Sequence, residues 1–389
     1  MKAFINARVI TMEGKDFPQG TILVQDGKIL EVGEHISIPS EAELIDVEGK
    51  FIFPGFIDAH THVGIAEEVF RIAGDDTNEI TDPLTPQLRA LDAINPDDLG
   101  FKDALLGGVT TVMITPGSAN VIGGIASVFK VWGKTFQEMV IKEEAGLKIA
   151  LGENPKRVYG EQKKMPHTRM AVAAMLRQAF LDAETYMKKT TRERNLKHEN
   201  IAKVLKGEIP LRAHAHRADD ILTALRIAKE FGVKMVIEHC TEGHKIVDEL
   251  LQSQVETVVG PSLTNRAKVE LGERTFKTPG ILAQAGLPVA IMTDHPEIPI
   301  QYLPLCASLA AKEGMREIDA LKALTVIPAQ ILGLSDRLGS IKKGKDADLV
   351  VWDNHPLDVR SNPLQIFING NKICPMTNHY QDYHPINGR

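Results

Sequence analysis

A chain of 389 residues with 43% hydrophobic content is long enough for one large α/β domain plus a smaller satellite, which rules out a disordered chain. Its net charge of -6 gives no basic field for a polyphosphate, which argues against nucleic acid as a partner. No apolar run approaches the roughly 18 residues needed to cross a bilayer, which argues against a membrane. The opening MKAFINARVITMEGK lacks the long apolar core of a signal peptide, so the protein is expected in the cytoplasm. Cys240, Cys306 and Cys374 form no CxxC pair, which argues against a disulfide framework or a thiolate site and leaves nitrogen and oxygen to hold any metal.

Residues 2–50 read as short antiparallel strands: AFINARVITM, then TILVQDGKILEVG with Asp-Gly at its centre, then AELIDVEGKFIF. Too short to bury a core alone, they need partners, and SIKKGKDADLVVWD and LQIFINGNKI at the far end repeat the alternation. Phe367-Ile368-Asn369 echoes Phe4-Ile5-Asn6. The economical reading is one small β-sandwich from residues 1–55 and 336–389, with residues 56–335 inserted between them.

The inserted part alternates apolar strand, loop and amphipathic helix, the rhythm of βα units. Candidate strands end at His60, Thr115, Val131, Gly152, His214, His239, Gly260 and Asp294. Eight parallel strands in a segment near the roughly 250 residues typical of the fold predict a closed (β/α)8 TIM barrel. The third strand is the exception: residues 125–142 fit equally a hairpin inserted after the second. Between strands, Asp219 or Asp220 is placed to cap the helix ILTALRIAKEF and Gly232 to end it, and a second helix is expected near Met165 to Lys189. The charged TTRERNLKHEN that follows reads as solvated surface. PGSANVIGG (116–124) reads as a turn whose backbone could approach a ligand; it lacks the lysine and hydroxyl of a P-loop.

In an extended strand alternate side chains share a face, so His60 and His62 in FIFPGFIDAHTHV point the same way, close enough to share one ion. His60, His62, Glu153, His214, His239 and Asp294 all fall at or just past strand ends, which in a closed parallel barrel converge on the face where active sites form. That cysteine-free set suits zinc or a similar divalent ion. Any one of them alone also fits an ordinary loop or core position; the coincidence of six carries the reading.

With PGFIDAHTH, the later strand-end His214, His239 and Asp294, and the closing GSIKKGKDADLVVWD, the chain resembles the amidohydrolase superfamily of metal-dependent hydrolases over nearly its whole length. Within that superfamily it is most similar to the imidazolonepropionase-like group. The resemblance implies a barrel with one or two divalent ions and hydrolysis of an amide or other carbon-nitrogen bond. It implies ligand roles for His60 and His62 on the first strand, His214 on the fifth, His239 on the sixth and Asp294 on the last. At the fourth strand many two-metal members use a carboxylated lysine and some a glutamate. Here Glu153 in LGENPKR is the expected ligand, with Lys156 nearby; a loop carboxylate paired to Lys156 or Arg157 is the alternative. His216 shares a face with His214 and is expected to orient substrate or to be an ordinary loop residue.

A divalent ion lowers the pKa of water from 15.7 to about 7. Asp294 is the expected catalytic carboxylate, taking the proton and returning it to the leaving nitrogen. Arg157, Tyr159 and Arg217 lie near the proposed ligands in sequence and suit a small-molecule substrate carrying a carboxylate, unless they are surface pairs. A homo-oligomer is compatible with the sequence. The competing readings are a deaminase of an aminated heterocycle, a dipeptidase or N-acyl amino acid hydrolase, and a catalytically silent scaffold.

Overall fold

Asp26-Gly27 and Asn369-Gly370 reverse the chain at its two ends, and all four residues take positive φ (51°, 77°, 49° and 68°), which tight hairpin turns demand and short polar residues and glycine tolerate. The computed structural model describes residues 1–69, 73–133, 135–191 and 193–373; Cys374 and the last part of the expected terminal domain lie outside the described residues. Strands β1 (Lys2–Val9), β2 (Phe17–Gln25) and β3 (Lys28–Gly33) form an antiparallel meander. Strands β4 (Glu43–Asp46) and β5 (Phe51–Pro54) run parallel to β1, on successive stretches of its other edge. The expected antiparallel arrangement therefore holds for β1 to β3 only: the loop after β3 carries the chain back to the start of β1 before it pairs again.

Among the described residues the inserted part supplies eight more strands. They are β6 (Phe56–Thr61), β7 (Val109–Ile114), β8 (Ile122–Lys130), β9 (Val140–Ala150), β10 (Leu211–Ala215), β11 (Met235–His239), β12 (Glu256–Val259) and β13 (Val289–Ile291). They hydrogen-bond in chain order from β6 to β13. All neighbours are parallel except at β8, which is antiparallel to both β7 and β9. Eight parallel strands are thus corrected to seven plus a reversed third. The physical reason is the connection: residues 115–121 are fewer than the dozen or so that a parallel crossover requires.

Side-chain parity gives the barrel its two faces. Leu147, Ile149, Leu211, Ala213, Met235 and Ile237 point outward into one apolar cluster with Leu176, Phe180, Ile221 and Leu225 of the surrounding helices. The alternate residues Lys148, Arg212, His214 and Glu238 face the other way and are buried as well, so the barrel interior is charged. The ring closes between β13 and β6 without a ladder. Thr293 donates its N–H (3.0 Å) and hydroxyl (2.6 Å) to the Asp58 carboxylate, while Ile57 N–H and Ile291 N–H donate to the carbonyls of Leu324 and Ala323. Outside the barrel, Gly232 ends helix Ala218–Phe231 in the left-handed region (φ 64°), as its position suggested. The start differs from expectation: Asp219 and Asp220 sit inside the first turn, and Glu242 from the next loop accepts the Ala218 N–H (2.8 Å).

Strands β14 (Leu349–Trp352), β15 (Pro363–Ile368) and β16 (Asn371–Ile373) complete the terminal sheet in the order β16-β15-β14-β5-β1-β2-β3. Phe4 on β1 meets Phe367 on β15 edge-to-face at 4.7 Å, although β5 and β14 lie between their strands. A flat sheet would hold them about 14 Å apart at three strand spacings. The sheet is therefore curled around its own core of Phe4, Val9, Ile22, Ile52, Leu349 and Phe367. Its hydrogen bonds form one continuous path, joining what a sandwich would keep as two sheets. Because β8 is reversed, its last residue, Lys130, lies at the end of the barrel nearest this sheet and pairs there with Asp346 and Asp348.

Candidate metal centre

The FIDAHTH strand places Asp58, His60 and His62 on one face by simple alternation. Asp58 is spent on closing the barrel, and the two histidines continue toward its mouth. His60 Nδ1 lies 2.7 Å from Glu238 Oε2, and His62 Nδ1 lies 2.7 Å from the Thr115 carbonyl. Each ring therefore donates from Nδ1 and turns Nε2 inward, 3.3 Å and 3.4 Å from Asp294 Oδ1. His239 does the same, with Nδ1 2.9 Å from the Gly260 carbonyl and Nε2 without a partner. His239 and Asp294 both hold positive φ (69° and 56°), strained values for side chains of this size at two of the ring's convergent positions.

Among the described residues two groups of potential ligand atoms result, each gathered within 4.8 Å: His60, His239 and Asp294, and His214, His216 and His239. His216 Nδ1 is held by the Thr241 hydroxyl at 2.8 Å, whereas neither nitrogen of His214 has a hydrogen-bond partner. Burial, reinforced by His216 and Lys148, pushes His214 well below the usual imidazole range; burial with His214 and His216 does the same to His239, and burial lowers His216 to about 4. These rings are neutral at pH 7, the form that binds metal. Burial alone would raise the Asp294 carboxyl, but His239, His60 and His62 together hold it well below the usual carboxylate range.

A divalent ion fits these residues. His214 Nδ1 and Nε2 and His239 Nε2 are all buried without a hydrogen bond, an arrangement that is costly unless something satisfies it. They form the floor of a cavity of about 610 Å³, whose wall includes Asn78, Gly117, Ser118, Asn154 and Lys268. Gly117 of the glycine-rich loop thus reaches the cavity, and a Cβ there would meet the Asn78 amide at 2.3 Å.

The structure brings His60, His62, His214, His216, His239 and Asp294 together and leaves the other expected residues outside. Glu153 opens helix Glu153–Glu161 as the chain turns out of the barrel, and it belongs to neither ligand group. Arg157 is exposed on that helix, and Arg217 pairs with Asp219 at 2.9 Å; neither lines the cavity. Tyr159 is buried behind it, donating to Asn120 Oδ1 at 2.6 Å.

Sequence reasoning passed over Lys148, Arg212, Glu238 and Glu270. Lys148 Nζ stands 3.2 Å from His60 Nε2, and burial pushes its ammonium down to about 8 against the pull of Glu238 and Asp294. Glu238 is clasped between His60 and Arg212, whose Nε lies 2.5 Å from Glu238 Oε1 and whose Nη2 donates to the Ala59 carbonyl at 2.8 Å. Burial would raise the Glu238 carboxyl, and Arg212, His60 and Lys148 outweigh it, so its pKa is lowered. The signal was present: in GLKIA, LRAHA and MVIEH a charged residue interrupts an apolar strand at the parity that faces inward.

A barrel whose strand ends gather imidazoles and a carboxylate at one mouth has the arrangement of a (β/α)8 metal-site protein. The amidohydrolase family model matches residues 51–377, and the chain belongs to that family. A solved amidohydrolase from Thermotoga maritima MSB8 is 48% identical and superposes with a TM-score of 0.94, over 96% of this chain and all of that one. Amidohydrolase tasK of Hapsidospora irregularis is 29% identical over 388 residues, covering 90% of this chain; the chain spans only 39% of that protein's length. The imidazolonepropionase of Paracoccus denitrificans is 25% identical over 411 residues, with 96% of this chain and 100% of that protein covered.

Proposed function

We propose that the chain is a metal-dependent hydrolase that cleaves a carbon-nitrogen bond in a small amide, cyclic amides included. The observation that carries this reading is the convergence of His60, His62, His239 and Asp294 on one cavity, His60 and His62 through their approach to Asp294 and His239 with a buried Nε2 that has no hydrogen bond. Residues 56–335 are the catalytic unit in this reading, and residues 1–55 with 336–373 its accessory sheet. Zinc suits the nitrogen and oxygen donors. His60, His62, His239 and Asp294 would hold a first ion. The fourth-strand position that many two-metal members fill with a carboxylated lysine and some with a glutamate is better matched by Lys148, which faces the ligands, than by the expected Glu153 or by Lys156.

When bound, such an ion supplies Lewis acidity, polarising the attacked carbonyl and acidifying water. The protein's own groups do the rest. The Asp294 carboxylate, ionised at neutral pH, accepts the proton of the attacking water and returns it to the leaving nitrogen. The Nδ1 contacts of His60, His62 and His239 keep each ring turned so that only Nε2 faces the reaction. The cavity walls hold the substrate over that floor and shield it from bulk water.

Metal analysis of the purified chain, combined with a panel of cyclic amides, N-acyl amino acids and aminated rings, tests the proposal. Amide turnover that needs the metal is the expected result; ammonia release from aminated rings alone would replace it with a deaminase. Asp294→Asn is expected to lower kcat about 10²- to 10⁴-fold while most of the metal stays bound. Full activity in that variant would sink the assignment of Asp294.

A further inference from the structure

Glu270, in the loop after β12, holds that loop across the barrel mouth. Its Oε2 accepts the Glu153 N–H at 3.0 Å, at the start of a helix whose own N-cap, Gly152, has no side chain to do so. Its Oε1 stands 3.8 Å from His214 Nε2 and 3.7 Å from His216 Nε2. The loop that leaves β12 is thereby tied to the loop that leaves β9, beside the histidines at the end of β10, and Lys268 comes two residues before the tie.

Lys268 is half-buried, lines the cavity, and its charge is felt at His214 and His216. Among the described residues that line the cavity, Lys148 and Lys268 are the only lysines or arginines. Lys148 is buried on the floor beside His60, which leaves Lys268 as the cation of the wall. Its ammonium makes neither an ion pair nor a hydrogen bond with the described residues. A charge partly stripped of water and given no counter-ion is one that a ligand can satisfy. Two other wall residues also have bonds to give: Thr264 Oγ1, from the same loop, and Asn154 Oδ1 have no hydrogen-bond partner.

The acids of the wall lie elsewhere. Glu67, Glu68 and Asp75 follow β6, and Glu297 follows β13. Those two strands meet where the barrel closes, across the ring from β9 and β10. An anion entering the cavity is repelled from that side and drawn toward Lys268. One ammonium opposite several carboxylates suits a single negative charge; a phosphate dianion would call for more cations.

We propose that Lys268 selects the substrate by a carboxylate, so that the amide or cyclic amide cleaved here is one that carries such a group. The inference rests on the proposed function for the bond that breaks, and on the wall alone for the charge that is recognised. Arg157 and Arg217, the residues the sequence suggested for this task, lie outside the cavity, and Lys268 takes it over from a loop.

The test compares carboxylates with their own carboxamides on the metal-loaded full-length enzyme. N-acetyl amino acids, 5-oxoproline and hydantoin-5-acetate are each paired with the corresponding carboxamide, and acetate release or ring opening is followed. The wild type should favour the carboxylate of a pair by at least about tenfold in kcat/KM. Lys268→Met, similar in length and uncharged, should erase that preference chiefly by raising KM, while Lys268→Arg should keep most of it. Zinc content and circular dichroism establish that the variants are folded and loaded. Equal kcat/KM within the pairs, turnover of uncharged amides alone, or a Lys268→Met variant that keeps the preference overturns the inference. If no pair turns over, the hydrolase reading fails for these amides, and calorimetric binding of the same pairs decides the subsite. Carboxylates should then bind the wild type at least about tenfold more tightly than carboxamides and lose that advantage in Lys268→Met; no such difference overturns the inference.

Discussion

Glu238 and Arg212 are both fully buried, and each is the other's counter-charge, so neither tolerates removal of its partner. Breaking such a pair costs about 3–5 kcal/mol because the survivor stays charged and dry. The pair also fixes His60, whose Nδ1 leans on the Glu238 carboxylate. Glu238→Gln is therefore expected to lose stability of that order in urea denaturation and to hold the metal about 10–100-fold less tightly in chelator competition. Unchanged metal affinity would reduce the pair to a structural filler. At this scale alternation made the histidines legible: knowing that residues 60 and 62 share a face was enough to pair them. Glu153, Arg157, Tyr159 and Arg217 fall outside the cluster because closeness along the chain stops meaning closeness in space once the chain turns into a helix. Glu270 could not be read at all, since it reaches His214 from a loop 56 positions away in sequence.

The strands of the barrel were legible as apolar runs between turn residues, but the direction of β8 was not. All nine of its residues are buried, so its pattern is the same whichever way it runs. The length of the link before it held the answer. The junction between β5 and β6 shows the opposite case, in which one residue type is dictated by its neighbours. Gly55 is the single residue between the two strands, and a Cβ there would lie 2.1 Å from Thr110 Oγ1. Gly55→Ala must push β7 away or twist the strand, and we expect a loss of about 1–3 kcal/mol measured by thermal or urea unfolding. The paired variant Gly55→Ala with Thr110→Ala should recover part of that loss; equal stability of Gly55→Ala and wild type would show that the junction has slack.

At the scale of the molecule, the terminal sheet and the barrel are joined by charge as well as by chain. Asp346 is almost wholly buried and meets Lys130 of β8 (3.1 Å), Lys28 (2.5 Å) and Arg337 (2.9 Å). Burial alone would raise its carboxyl, but these three cations bring it from 3.8 down to about 2. A depressed carboxylate stabilises the fold above its unfolded pKa and loses that contribution as pH falls through the folded value. The stabilisation, roughly 2 kcal/mol, is therefore complete above about pH 4 and fades toward pH 2. In urea denaturation the stability gap between wild type and Asp346→Asn should narrow across that window and stay constant above it. A gap independent of pH would deny the coupling. The GKDADLV stretch was recognisable as a motif in the sequence, but its work of tying two sheets together appears only when Lys130 arrives from a strand more than 200 residues earlier.

The continuous path of the curled sheet also sets an order of events during synthesis. β5 lies between β1 and β14, so one of its edges stays bare until nearly 300 further residues have left the ribosome. For that interval the nascent chain carries an unprotected strand edge, a natural substrate for chaperones and a hazard for sticking to its neighbours.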